Sequence, residues 1–179
     1  MRNPWLHLTS LLEIAVTHPH TGHDHQAELG TIERETYVDA PPETVFDVVS
    51  RPEHVREWWP DEAEYDVAPG AEGRIAFGDC DAGGVAVGFT VLEVDRPRSF
   101  SFRWTHDVGS AATAGTSLLV TFQLVAQGAG TLLRMRETGF RERGWEAAVL
   151  EHEYGEHVRG WDHFLPRLVA YVATLGAGR

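Results

Sequence analysis

Glu137 ends an alternation in which Leu133 and Met135 share its side and Arg134 and Arg136 take the other. A carboxylate is therefore expected on the apolar face of a half-buried strand. A charge placed there has to be paired or hydrogen-bonded. It could act as a general base or as an acceptor that orients a ligand; the plainer alternative is an ion pair with an arginine of a neighbouring strand. His106 extends a second inward series, Phe100, Phe102 and Trp104, which places it at the rim of whatever that face encloses. Imidazole exchanges its proton near neutral pH, so His106 is a candidate acid or base, and equally a half-exposed strand end. Trp58, Trp59, Trp104 and Trp161 suit either a ligand-stacking cage or a plain core. As a set they need a wide apolar interior and partners for their indole N–H groups.

Other chemistry is weaker. His18, His20, His23 and His25 could hold zinc or nickel, but their spacing matches no known structural pattern. His152 and His157 lie five apart, about 140° around a helix, unlike the two ligands that H-E-x-x-H puts on one face. No metal and no cofactor is expected. Cys80 is the sole cysteine, which excludes an internal disulfide, and Asp79 and Asp81 beside it are the opposite of the electropositive setting that activates a thiol. All 15 basic residues are arginine, so Schiff-base chemistry on lysine and a phosphate-loop lysine are excluded. The net charge of −12 argues against nucleic acid and against an anionic membrane surface. No segment approaches the ~20 apolar residues of a membrane span. Leu6 to Val16, interrupted by Thr9, Ser10 and Glu13, does not read as a signal peptide. A cytoplasmic location is expected.

The elements that must carry these residues are legible. Residues 1–29 read as an N-terminal extension, a short helix after Asn3-Pro4 and then a histidine-rich linker. The domain is expected over 30–176. A strand over 31–39 stops at Ala40-Pro41-Pro42, and Pro42 and Glu43 suit the first turn of a helix over 42–50. Arg51-Pro52 restarts a second short helix at about 53–58. Period-two alternation recurs in Phe100–Trp104, Leu118–Leu124 and Leu133–Glu137, the pattern of antiparallel strands with one wet face. Gln127-Gly128-Ala129-Gly130 closes a hairpin, and 107–116 make a longer loop. Val158, Trp161, Leu165, Leu168, Val172 and Leu175 form one helical stripe. Pro166 within it predicts a kink or break, since it removes the bond to the Asp162 carbonyl.

With these residues in hand, the chain resembles the START-like superfamily, also called polyketide-cyclase-like or birch-pollen-allergen-like. Within it the chain is similar to bacterial proteins like the C-terminal domain of activators of the heat-shock protein 90 ATPase. The matching motifs are Arg34-Glu35, Ala40-Pro41-Pro42-Glu43 with Val45-Phe46, Pro52-Glu53 with Val55 leading into Trp58-Trp59, Glu137 with Gly139-Phe140, and Gly160-Trp161 with Leu165 and Leu168. The resemblance implies an α+β helix-grip fold: a curved seven-stranded antiparallel sheet around a long C-terminal helix, with two short helices after the first strand. It also implies that the first and last strands are neighbours, which makes Arg34 the natural partner of Glu137. Residues 141–156 exceed a plain turn and are expected to form a lid or a short extra helix.

Fold alone does not give function. The leading expectation is a binding protein, a carrier, sensor or sequestering module for an apolar or aromatic small molecule, acting as monomer or homodimer. Its contacts would come from Trp58, Trp59, Phe77, Val87, Phe89, Phe102, Trp104, Phe122, Met135, Glu137 and Trp161. One alternative is a cyclase- or dehydratase-type enzyme in which Glu137 and His106 move protons. Another is a chaperone-associated interaction module, which would need a large exposed apolar patch.

Overall fold

Alternating residues that keep one face apolar fold into a single seven-stranded antiparallel sheet, described with its helices over residues 29–176 in a computed structural model. The N-terminal extension, apart from its last residue, lies outside the described residues. The elements are β1 (Thr31–Val38), α1 (Pro42–Ser50), α2 (Pro52–Trp58), β2 (Glu62–Glu64), β3 (Glu72–Phe77), β4 (Val85–Asp95), β5 (Ser99–His106), β6 (Leu118–Gln127), β7 (Gly130–Thr138) and α3 (Ala147–Gly176). Strand order is β1-β7-β6-β5-β4-β3-β2, so β1 and β7 are hydrogen-bonded neighbours. Proline at the first turn starts both short helices, and neither has a side-chain cap. The sheet wraps α3, and the whole is a helix-grip α+β fold.

The interior is aromatic. Trp58, Phe77, Phe89, Phe102, Trp104, Phe122 and Trp161 are all buried. Trp59 sits among them, its ring centroid 5.0 Å from that of Trp104, 5.2 Å from Trp161 and 5.6 Å from Phe102. Trp58 stacks on Trp59 at 5.9 Å and donates from Nε1 to the Val48 carbonyl at 3.0 Å. Side chains from the sheet, α2 and α3 thus fill the centre of the grip.

Two expectations about α3 change. Pro166 does not break it: the helix is continuous from Ala147 to Gly176. Pro166 and Asp162 both face solvent, so the carbonyl freed by the missing N–H meets water and the lost bond costs little. The segment expected as a lid or separate helix splits instead into a loop over 139–146 and the first turns of α3 itself.

Candidate functional site

Glu137 is fully buried on β7, and its carboxylate is the meeting point of three elements. Trp104 of β5 donates its indole N–H to Oε1 at 2.7 Å, and Trp161 of α3 donates to Oε2 at 2.7 Å. His157 Nδ1 lies 3.0 Å from both oxygens. Indole N–H groups can only donate, so both carboxylate oxygens are acceptors. His157 and Trp161 are four apart on α3, which puts them one above the other on the same helix face. Two consecutive turns of the helix are thereby fastened to the sheet.

The expected Arg34–Glu137 pair is not formed. Arg34 lies opposite Met135 on β7, whereas Ile32 is the residue opposite Glu137. From this edge strand the guanidinium reaches out to Asp162 of α3, with Nε 2.7 Å from Oδ1. Glu137 meets its need for donors from the indoles and the imidazole. His157 is the functional candidate that sequence reasoning missed. Stepping back by four from Trp161 along the apolar stripe lands on His157, and by four more on Glu153, both buried polar residues. Polar residues on the buried side of a stripe were the available signal.

His106 is reached by a route different from the expected alternation. The β4–β5 register passes from Phe89↔Trp104 to Gly88↔His106, so one extra residue, Thr105, sits in β5. Thr105 has φ of +70°, a conformation that is a genuine outlier for a β-branched residue. The bulge sets His106 over Gly88, where a Cβ would come within 2.2 Å of the imidazole ring; only glycine fits beneath it. His106 Nε2 is 3.3 Å from Thr90 Oγ1 and Nδ1 is 3.2 Å from the Asp107 carbonyl.

Beside this bulge opens a cleft of about 360 Å³ between the ends of β4 and β5, the 139–146 loop and the start of α3. Val85, Val87, Trp145 and Val149 give it apolar walls; Thr105, His106, Asp107, Arg143, Glu153 and His157 give it polar ones. Of the expected ligand contacts, Val87 lines this cleft, and Trp58, Trp59, Phe77, Phe89, Phe102, Phe122 and Trp161 belong to the packed interior behind it. Glu137 stands one residue behind the wall, joined to it through His157. Burial pushes the Glu153 carboxyl above its ordinary range, opposed by His157 and His152. Burial likewise pulls the Arg143 guanidinium below its usual value, opposed by Glu153 and Asp107. Among the described residues no group of His, Cys, Asp and Glu could hold a metal ion.

A curved sheet gripping a long helix, with a cleft leading to the helix, defines a START-like domain. The sequence matches the family described as Activator of Hsp90 ATPase homolog 1-like protein over residues 39–173, and the chain belongs to that family. No curated protein matches it. Solved structures share the fold. Protein MLL2253 from Mesorhizobium loti is 24% identical with a TM-score of 0.64, the match covering 80% of this chain and 97% of that one. NE0264 from Nitrosomonas europaea is 16% identical with a TM-score of 0.66, covering 84% and 98%. DynU16, a protein in the dynemicin biosynthetic locus, is 22% identical with a TM-score of 0.61, covering 81% of this chain and 48% of that one.

Proposed function

We propose that this chain binds a hydrophobic or aromatic small molecule, as a carrier, sensor or sequestering protein, and that the molecule enters at the cleft beside the start of α3. The observation that carries this reading is the cleft's make-up: apolar walls from Val85, Val87, Trp145 and Val149 together with six polar residues, Thr105, His106, Asp107, Arg143, Glu153 and His157. Small-molecule sites combine apolar area for affinity with polar atoms for orientation. The family membership and the biosynthetic locus of DynU16 point the same way. Titrating fatty acids, aromatic polyketides and isoprenoids while following tryptophan fluorescence tests it. Saturable quenching by at least one class is expected; no saturable response from any of them would refute it.

A second reading, an acid–base enzyme of cyclase or dehydratase type, rests on one contact. His157 lines the cleft while Glu137 holds its Nδ1 at 3.0 Å, the arrangement by which a carboxylate orients an imidazole for proton transfer. In that reading His157 and His106 meet the ligand, and Glu137 positions His157. Deuterium washed into a bound carbonyl compound from heavy water, and lost in His157→Gln, would favour it over a passive pocket. The chaperone-module reading gains less from the surface. Tyr37, Leu132 and Val125 lie side by side across β1, β7 and β6. Tyr37 and Val125 are exposed and Leu132 is half-buried, a short row rather than a broad patch.

A further inference from the structure

Arginine is the only abundant cation in this chain, and acidic residues outnumber it, 27 to 15. Eight described arginines, at positions 34, 51, 74, 96, 98, 134, 136 and 159, accordingly hold ion pairs. Arg143 differs from these, and from the other described arginines, in having a buried guanidinium nitrogen that no acceptor meets. It is half-buried in the wall of the cleft, its Cζ 4.7 Å from the centre of the Trp145 ring. One terminal nitrogen donates to the Thr116 carbonyl. Its Nε is buried with no hydrogen-bond partner. No described carboxylate is within ion-pairing distance of it; Asp107 and Glu153 act on its charge only from further off.

Thr105 faces the same cleft in the same unfinished state. Its backbone is held at φ +70° and its Oγ1 is buried without a partner. A strained residue and an unmatched buried donor each cost stability, about 1–3 kcal/mol apiece. Strain of this kind gathers where a ligand is held. Two such groups on one wall, beside apolar walls, are the complement of a particular kind of molecule.

We infer that the cleft takes an apolar molecule ending in a single carboxylate, with the carboxylate held by Arg143 and Thr105 and the apolar body against Val87, Val149 and Trp145. This rests on the ligand-binding reading above and gives it a chemical class. A guanidinium makes strong charge-assisted hydrogen bonds to a carboxylate, and a half-buried setting weakens the competition from water. Asp107 and Glu153 line the same cleft, and its one guanidinium can offset a single ligand carboxylate against them, so a dicarboxylate fits less well.

The test compares 2-naphthoic acid, its methyl ester and 2,6-naphthalenedicarboxylic acid by calorimetric titration into the full chain. The monoacid is expected to bind about tenfold or more tightly than either of the others, the gain of one charge-assisted pair. Arg143→Met, which keeps a flexible stem over Trp145, is expected to erase that preference and leave ester binding within about twofold of wild type. Equal binding of acid and ester by the wild-type chain would overturn the inference without touching the ligand-binding reading, and needs no variant. A preference that survives in a folded Arg143→Met would overturn it too. If none of the three probes bound, the carboxylate inference would fall, whereas the ligand-binding reading would fall only if the wider panel also failed.

Discussion

Two polar clusters sit within one domain and could hardly be treated more differently. Around Glu137 every carboxylate oxygen has a donor: two indoles at 2.7 Å and an imidazole at 3.0 Å. At the cleft, Arg143 Nε and Thr105 Oγ1 are buried with none, and Thr105 is strained besides. A buried charge whose valences are filled by the protein has little left to offer a ligand, and its work is to fix one arrangement of helix on sheet. Buried donors that the fold leaves unmatched lower stability; Trp59 Nε1 in the packed interior is another, and what sets the cleft pair apart is that both line an open cleft and one of them is strained. The residue that looked most catalytic in the sequence is thus, in the fold, the best satisfied.

The largest effect that could break this contrast is at Glu137. Glu137→Leu would strip the acceptor from two indoles and an imidazole in the core and is expected to destabilise by about 3–5 kcal/mol in chemical denaturation. Glu137→Gln should also be costly: both oxygens accept, so the amide NH₂ would face a donor. An isostable Gln variant would mean that the cluster does not hold the fold. Thr105→Gly comes next. Relief of the positive φ, less the backbone entropy of glycine, is expected to raise stability by about 1 kcal/mol while lowering affinity for the naphthoate probe. A gain in stability with unchanged affinity would make the strain incidental.

Glu153 sharpens the comparison through pH. Its carboxyl is pushed above the ordinary 4.5 chiefly by burial, so the folded state holds this proton more tightly than the unfolded state. The associated stability is complete below the unfolded value and is lost as pH rises through the folded one. The Glu153→Gln variant escapes that loss. Its melting temperature relative to wild type is expected to climb from about pH 4 to neutrality; a flat difference would mean that burial leaves the group unperturbed. The smallest effect is at Arg34. Its pair with Asp162 is exposed, so Arg34→Met should cost under about 1 kcal/mol, not the several a buried partner of Glu137 would have cost.

Much of this was readable in the chain. The alternation Leu133, Met135, Glu137 put the carboxylate inside, and the terminal stripe put Trp161 opposite it. Its partner was misread because adjacency of strands was taken for contact of side chains. Arg34 lies one cross-strand step away and at an edge, where a solvated aspartate is within reach of a long side chain. The bulge at Thr105 had only an indirect signal: no glycine or proline marks it in β5, where Trp104-Thr105-His106 alternates as well in a regular strand as in a broken one, and Gly88 opposite it in β4 does not by itself say which strand carries the extra residue. The cleft depends on that bulge and on the loop carrying Arg143, so it could not be read from periodicity.

The indole N–H resonances offer the most direct check on where a ligand goes. Trp145 lines the cleft, whereas Trp104 and Trp161 are hydrogen-bonded to Glu137 behind it. The six tryptophan signals, assigned by single Trp→Phe replacements, would be followed by ¹H–¹⁵N spectroscopy during titration with 2-naphthoic acid. A shift of the Trp145 signal that saturates, with Trp104 and Trp161 nearly still, is the expected result. Movement of Trp104 and Trp161 while Trp145 stays fixed would contradict it, and would make the Glu137 cluster the binding site and the cleft a mere surface feature.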